Sequence, residues 1–107
     1  MRTVIAAISV FAALAAGTAA SARMTDAQFI EANRCRELIA ANSLGQPGDT
    51  AAADRKLHEE SAGRDPAISD MADSAREHAQ QDARHPNDVV KSRLIAERDG
   101  ACRALLQ

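Results

Sequence analysis

Residues 25–45, TDAQFIEANRCRELIAANSLG, decide the fold. Thr25 followed three residues later by Gln28 is a T-x-x-Q capping box, in which side chain and backbone satisfy each other's free N–H groups, so a helix is predicted from Thr25 to about Ala41. At about 100° per residue, Ala27, Ala32, Cys35, Leu38 and Ile39 share one face, with Phe29 and Ile30 flanking it. Asn42-Ser43-Leu44-Gly45 supplies the stop, and Gly45-Gln46-Pro47-Gly48 reads as a turn. Cys35 therefore sits in an apolar stripe that another element must cover.

Three further helical segments follow toward the C-terminus, and no strand-like alternation of useful length is present. Thr50 to Ala62, capped by Asp49 or Thr50, carries a single large apolar residue, Leu57, and is the weakest of them; it is the place expected to be mobile or to meet a partner. Gly63 ends it. Asp65-Pro66 restarts the chain with an N-cap and a proline at the first helical position, which needs no N–H. The third helix runs to about Arg84, with Ile68, Met71, Ala72, Ala75, Ala79 and Asp82 along one stripe. After His85-Pro86, where His85 is expected to help cap, a fourth helix extends to Leu105. Its common side holds Val90, Leu94, Ile95, Ala101, Cys102, Leu105 and Leu106. Gly100 interrupts this helix for no packing reason visible in the sequence; the competing reading ends the helix near Asp99 and leaves Cys102 in a tail.

Upstream of the quoted stretch, Met1 to Ala22 reads as a cleavable signal peptide. Arg2 provides the positive end, VIAAISVFAAL (4–14) the apolar stretch, and Ala20-Ser21-Ala22 the small residues needed before a cut at Arg23. Alanine-rich and short, it is a poor membrane span, so no stable anchor is expected after cleavage. The expected product is residues 23–107, one small domain, periplasmic or secreted. The short stretch Met24–Phe29 (MTDAQF) resembles a single LTxxQ motif of small periplasmic stress chaperones; nothing is carried over from it.

Composition narrows the functions available to that domain. Without Phe11, Phe29 is its sole aromatic residue, since the chain has neither Trp nor Tyr. Base stacking and aromatic binding hot spots are therefore not expected. Loss of Arg2 reduces the 13 basic residues to 12, against 15 acidic ones, and no basic patch of the kind that grips nucleic acid is visible. A core this small commonly needs a covalent or metal staple.

Cys35 and Cys102 lie on the apolar stripes of the first and last predicted helices. An even pair of cysteines behind a signal peptide reads as a disulfide joining those helices. Buried free thiols are the competing reading. Redox activity lacks a C-x-x-C spacing, and haem attachment lacks C-x-x-C-H.

The chain's other candidate chemistry is sparse. His78 and Asp82 are i, i+4 neighbours that could share a hydrogen bond or a metal, and Asp54 and His58 have the same spacing. No serine sits in a nucleophile elbow, and no glycine-rich loop opens a helix, so neither a catalytic residue nor a cofactor is expected. The expectation is an all-α bundle of three or four helices with a non-enzymatic role, binding another envelope protein or acting as an envelope or stress accessory factor. The second expectation, from a different class, is a metal- or pH-responsive protein using His58, His78 and nearby carboxylates such as Asp82.

Overall fold

A computed structural model describes residues 23–106. The expected signal peptide, Met1 to Ala22, lies outside the described residues. Among those described, the chain is all-helical. Four main helices, α1 (Asp26–Ala40), α2 (Ala51–Ser61), α3 (Pro66–Asp82) and α4 (Asp88–Glu97), are followed by a π-helical turn (Arg98–Cys102) and a last short helix, α5 (Arg103–Leu106). A 3₁₀ turn, Asn42–Leu44, follows α1.

The punctuation expected from the sequence largely forms. Thr25 Oγ1 accepts from the Gln28 N–H at 3.1 Å while Gln28 Oε1 accepts from the Thr25 N–H at 2.9 Å, which completes the capping box. Asp65 caps α3 by accepting from the Ala67 N–H, with Pro66 at the first helical position. At α2 it is Asp49 whose carboxylate accepts from the Ala51 N–H. Asn87, not His85, caps α4, by accepting from the Val90 N–H. Gly63, just past α2, has φ 74°, a left-handed conformation that side chains resist.

α1 is the axis of the fold. From Phe29 to Ala40 none of its residues is exposed. It packs most extensively on α3, and also on α2 and the π turn. Ala27, expected on the apolar face, is exposed; the buried positions are Phe29, Ala32, Asn33, Cys35 and Leu38, which span more than half the circumference. A helix buried that widely must satisfy its polar side chains in place. Asn33 does so twice: its Nδ2 donates to the Phe29 carbonyl and its Oδ1 accepts from Arg76 Nε at 2.7 Å.

Two apolar clusters lie along this axis. Met24, Phe29, Ala32, Leu57 and Ala72 form one, and Cys35, Leu38, Leu44, Ala79, Ala83, Leu94 and Cys102 the other. Leu105 and Leu106 touch both. Leu57 and Ala53 anchor α2, Lys56 Nζ donates to the Leu105 carbonyl, and Arg36 on α1 pairs with Asp54 at 2.8 Å. The weakest expected helix is thus tied at three points. On α3, buried positions reduce to Ala72 and Ala79, and Met71 turns outward, 54% exposed. Small alanines there let α1 and α3 approach closely.

The π turn corrects the sequence reading of the last helix. Neither a continuous α-helix nor a tail carries Cys102. A π turn inserts one residue into the helical ladder, so the eight steps from Leu94 to Cys102 turn through about as much as seven α-helical steps. At roughly 100° per residue this brings Cys102 to within about 20° of Leu94, where an unbroken α-helix would leave it about 80° away. Both are fully buried, while Ala101 is exposed.

Gly100 lies in the middle of that turn, and a Cβ built on it would meet no heavy atom within 4 Å. Its φ is not positive. Gly100→Ala is therefore expected to stabilise the fold by about 0.4–1 kcal/mol, chiefly by restricting the unfolded chain. Thermal unfolding followed by circular dichroism checks this; a lower midpoint would mean that the π turn itself requires glycine.

Candidate functional site

The densest chemistry in the molecule surrounds the disulfide. Cys35 and Cys102 are bonded, with Cα atoms 5.2 Å apart and both residues fully buried. The bond joins α1 to the π turn between α4 and α5, not to the body of a last long helix. It closes a loop over a sequence separation of 67.

A carboxylate group leans on this bond. Glu31, one turn before Cys35 on α1, places Oε1 3.9 Å from Cys35 Sγ, and its carboxyl stands close enough to that of Glu97, at the end of α4, for the two to influence each other's ionisation. Arg34 closes the cluster: Nε donates to Glu97 Oε2 at 2.7 Å, Nη2 to Oε1 at 3.3 Å, and Nη1 to Asp82 of α3 at 3.2 Å. One guanidinium thus ties α1, α3 and α4 together next to the staple, using the bidentate geometry that suits arginine and carboxylate.

Two carboxyls in contact cannot both ionise freely. Burial, reinforced by the hydrogen bond to Glu97 and by that group's charge, pushes Glu31 up from an ordinary 4.5 to about 7. Glu97 goes the other way. Burial would raise it, but the hydrogen bonds from Arg34 and from the Glu31 carboxyl prevail and hold it below the usual carboxylate range. Below neutrality the pair therefore keeps a proton on Glu31, which it gives up as pH rises through about 7.

The histidines and carboxylate singled out in the sequence do not gather. Asp82 is committed to Arg34, and not to His78 as the i, i+4 spacing suggested. His78 is exposed beside a shallow depression lined by Ile30, Asp70, Met71 and Ala75. His58, also exposed, edges a different cleft of about 340 Å³ between α2 and α3, floored by Phe29 and Asn33 of α1. Its expected partner, Asp54, is paired with Arg36, whose hydrogen bond holds that carboxyl below its usual range. His85 is exposed beyond α3. Among the described residues, the grouping of three metal-ligating side chains that does form is Glu31, Cys35 and Cys102.

Sequence reasoning missed Glu31, Arg34 and Glu97. Glu31 and Cys35 share an i, i+4 spacing that was legible; the pairing of Arg34 with Glu97, 63 residues away, left no local trace. Comparison with protein-family models, with curated proteins and with solved structures gives no match.

Two outcomes follow from this geometry. Reducing the disulfide, or replacing both cysteines by alanine, should cost about 3–4 kcal/mol by loop-closure entropy, enough to lower the midpoint of a domain this size by ten degrees or more. Calorimetry of oxidised and reduced protein measures it, and midpoints within a few degrees would contradict it. The second concerns pH. Because Glu31 binds its proton more tightly folded than unfolded, its contribution to stability is complete below about pH 4.5 and is lost as pH rises toward about 7. Glu31→Gln, which mimics the protonated carboxyl, should remove that decline and exceed the wild type in stability at pH 8. Urea titrations of both proteins between pH 5 and 8 decide the point.

Proposed function

We propose that this chain is an exported, non-enzymatic helical protein that works in the periplasm or outside the cell by binding another protein of the envelope. The observation that carries the reading is the buried Cys35–Cys102 disulfide, because such a bond persists where thiols are oxidised and is rare where they are kept reduced. A second feature agrees with cleavage after Ala22. Arg23, the first residue beyond that point, is already part of the packed domain: its guanidinium donates to the Glu60 carbonyl at 3.0 Å and the Ala62 carbonyl at 2.7 Å at the end of α2. Next to it, Met24 is buried and its N–H donates to Glu60 Oε2.

The binding role rests on what the surface offers. The acidic and basic groups in the interior of the bundle are consumed in holding the helices together, while Met71 on α3 and Val89 on α4 remain outward, Val89 at 79% exposure. Expression of the full chain tests the reading. The expected product is recovered from the envelope or culture fluid, starts at Arg23, resists alkylation of both cysteines under denaturing conditions, and when immobilised retains a discrete envelope protein. A chain that stays in the cytoplasmic fraction with Met1 intact and two alkylatable thiols would overturn it.

A further inference from the structure

We propose that the disulfide site has a second state: with the bond reduced, Glu31, Cys35 and Cys102 hold one thiophilic divalent cation of the zinc class. The ligand atoms concerned, one carboxylate oxygen and two sulfurs, all lie within 4.8 Å of one another. A tetrahedral zinc with Zn–S near 2.3 Å and Zn–O near 2.1 Å requires ligand atoms roughly 3.5–3.8 Å apart. The cluster therefore has to rearrange by little more than the parting of its two sulfurs.

The frame around these groups suits that demand. Glu31 and Cys35 are one turn apart on α1, the most thoroughly packed helix, so two ligands are presented side by side by a rigid element. The third comes from the π turn, where the regular α-helical hydrogen-bond ladder is already interrupted. Cys35 and Cys102 are fully buried and Glu31 is half-buried, while Cys102 also lines an open cleft with Ile39, Gly48, Arg98 and Asp99. Arg34, one residue before Cys35 and paired with Glu97, offsets part of the negative charge that two thiolates and a carboxylate would accumulate.

The two states are exclusive, and the chemistry balances. A dithiol reductant transfers two electrons to the S–S bond, yielding two cysteine thiols and its own disulfide. Binding the cation then releases the two thiol protons. In reverse, a disulfide or quinone oxidant removes two electrons from the thiolates, the S–S bond forms, and the cation leaves because neither sulfur remains a thiolate.

Cobalt(II) reports on such a site directly. The purified protein, reduced with a phosphine that does not bind metals and kept anaerobic, is expected to take up one equivalent of Co²⁺ with thiolate-to-metal charge-transfer and tetrahedral ligand-field bands, both abolished by one equivalent of Zn²⁺. The oxidised protein should show neither. Glu31→Gln should weaken Co²⁺ affinity at least about tenfold, the scale on which even supporting groups matter at metal sites. It should do so without unfolding the domain, since the amide mimics the protonated side chain. Cys102→Ser should halve the charge-transfer intensity. Circular dichroism of the same samples covers a reduced chain that is unfolded without metal: Co²⁺ or Zn²⁺ should then restore helicity. The proposal is overturned if reduced protein shows no tetrahedral thiolate bands at one equivalent, if Glu31→Gln leaves affinity unchanged, or if metal neither binds the folded reduced chain nor refolds an unfolded one.

Discussion

A bundle with one aromatic side chain and a core assembled from Leu, Ala and Cys has little apolar surface with which to oppose chain entropy. The covalent link from Cys35 to Cys102 is the constraint on which the remainder depends. It fastens the central helix to the π turn near the end of the described chain, so that α4 and the π turn close against α1 and share an apolar cluster with α3. Within that closed arrangement Leu38, Leu44, Ala79 and Leu94 share one cluster with the two sulfurs. Without the link, the C-terminal segment would be held by Leu94, a few half-buried aliphatic groups and polar contacts such as Arg34 with Glu97.

Arginine pairing does the work that a larger core would do elsewhere. Arg34 joins α1 to α3 and α4, Arg36 joins α1 to α2, and Arg76 joins α3 to Asn33 and Glu37 of α1. Arg64, in the turn between α2 and α3, is the most buried of these. Its side chain, 8% exposed, bonds Asp26, Glu60 and the Met24 carbonyl and lies 4.8 Å above the centre of the Phe29 ring. The planar guanidinium serves each site by offering several donors in one plane, which a lysine cannot do. Pairs so placed supply geometry more than free energy, because desolvation offsets much of their Coulomb attraction. Together they set the register in which small alanine faces meet.

This division explains what could be read from the sequence. Features whose cause is local were legible: the Thr25–Gln28 box, the Asp65-Pro66 restart and the stop at Gly63; so was the pairing of the two cysteines. Three kinds of feature were not. The π turn has no periodic signature, and appears only as the unexplained Gly100. The wide burial of α1 was masked because part of its circumference, Glu31, Arg34, Arg36 and Glu37, is charged and reads as solvent-facing until its partners on other helices are known. The histidines misled in the opposite sense: i, i+4 spacing placed His78 beside Asp82 and His58 beside Asp54, but both carboxylates had stronger claimants in arginines on α1.

The same reasoning joins the staple to its surroundings. A disulfide needs only two cysteines at the right separation, and an apolar pocket would hold it well. Here one side of the bond instead faces Glu31, whose carboxylate oxygen lies 3.9 Å from Cys35 Sγ, and withdrawing that polar group from water has an energetic cost. A site in which the sulfurs alternate between bonding each other and sharing a cation with a carboxylate makes use of it, because a carboxylate oxygen already stands within 4.8 Å of both sulfurs. On this argument the polar wall beside the disulfide is the least expected feature of the core and the one most informative about its use.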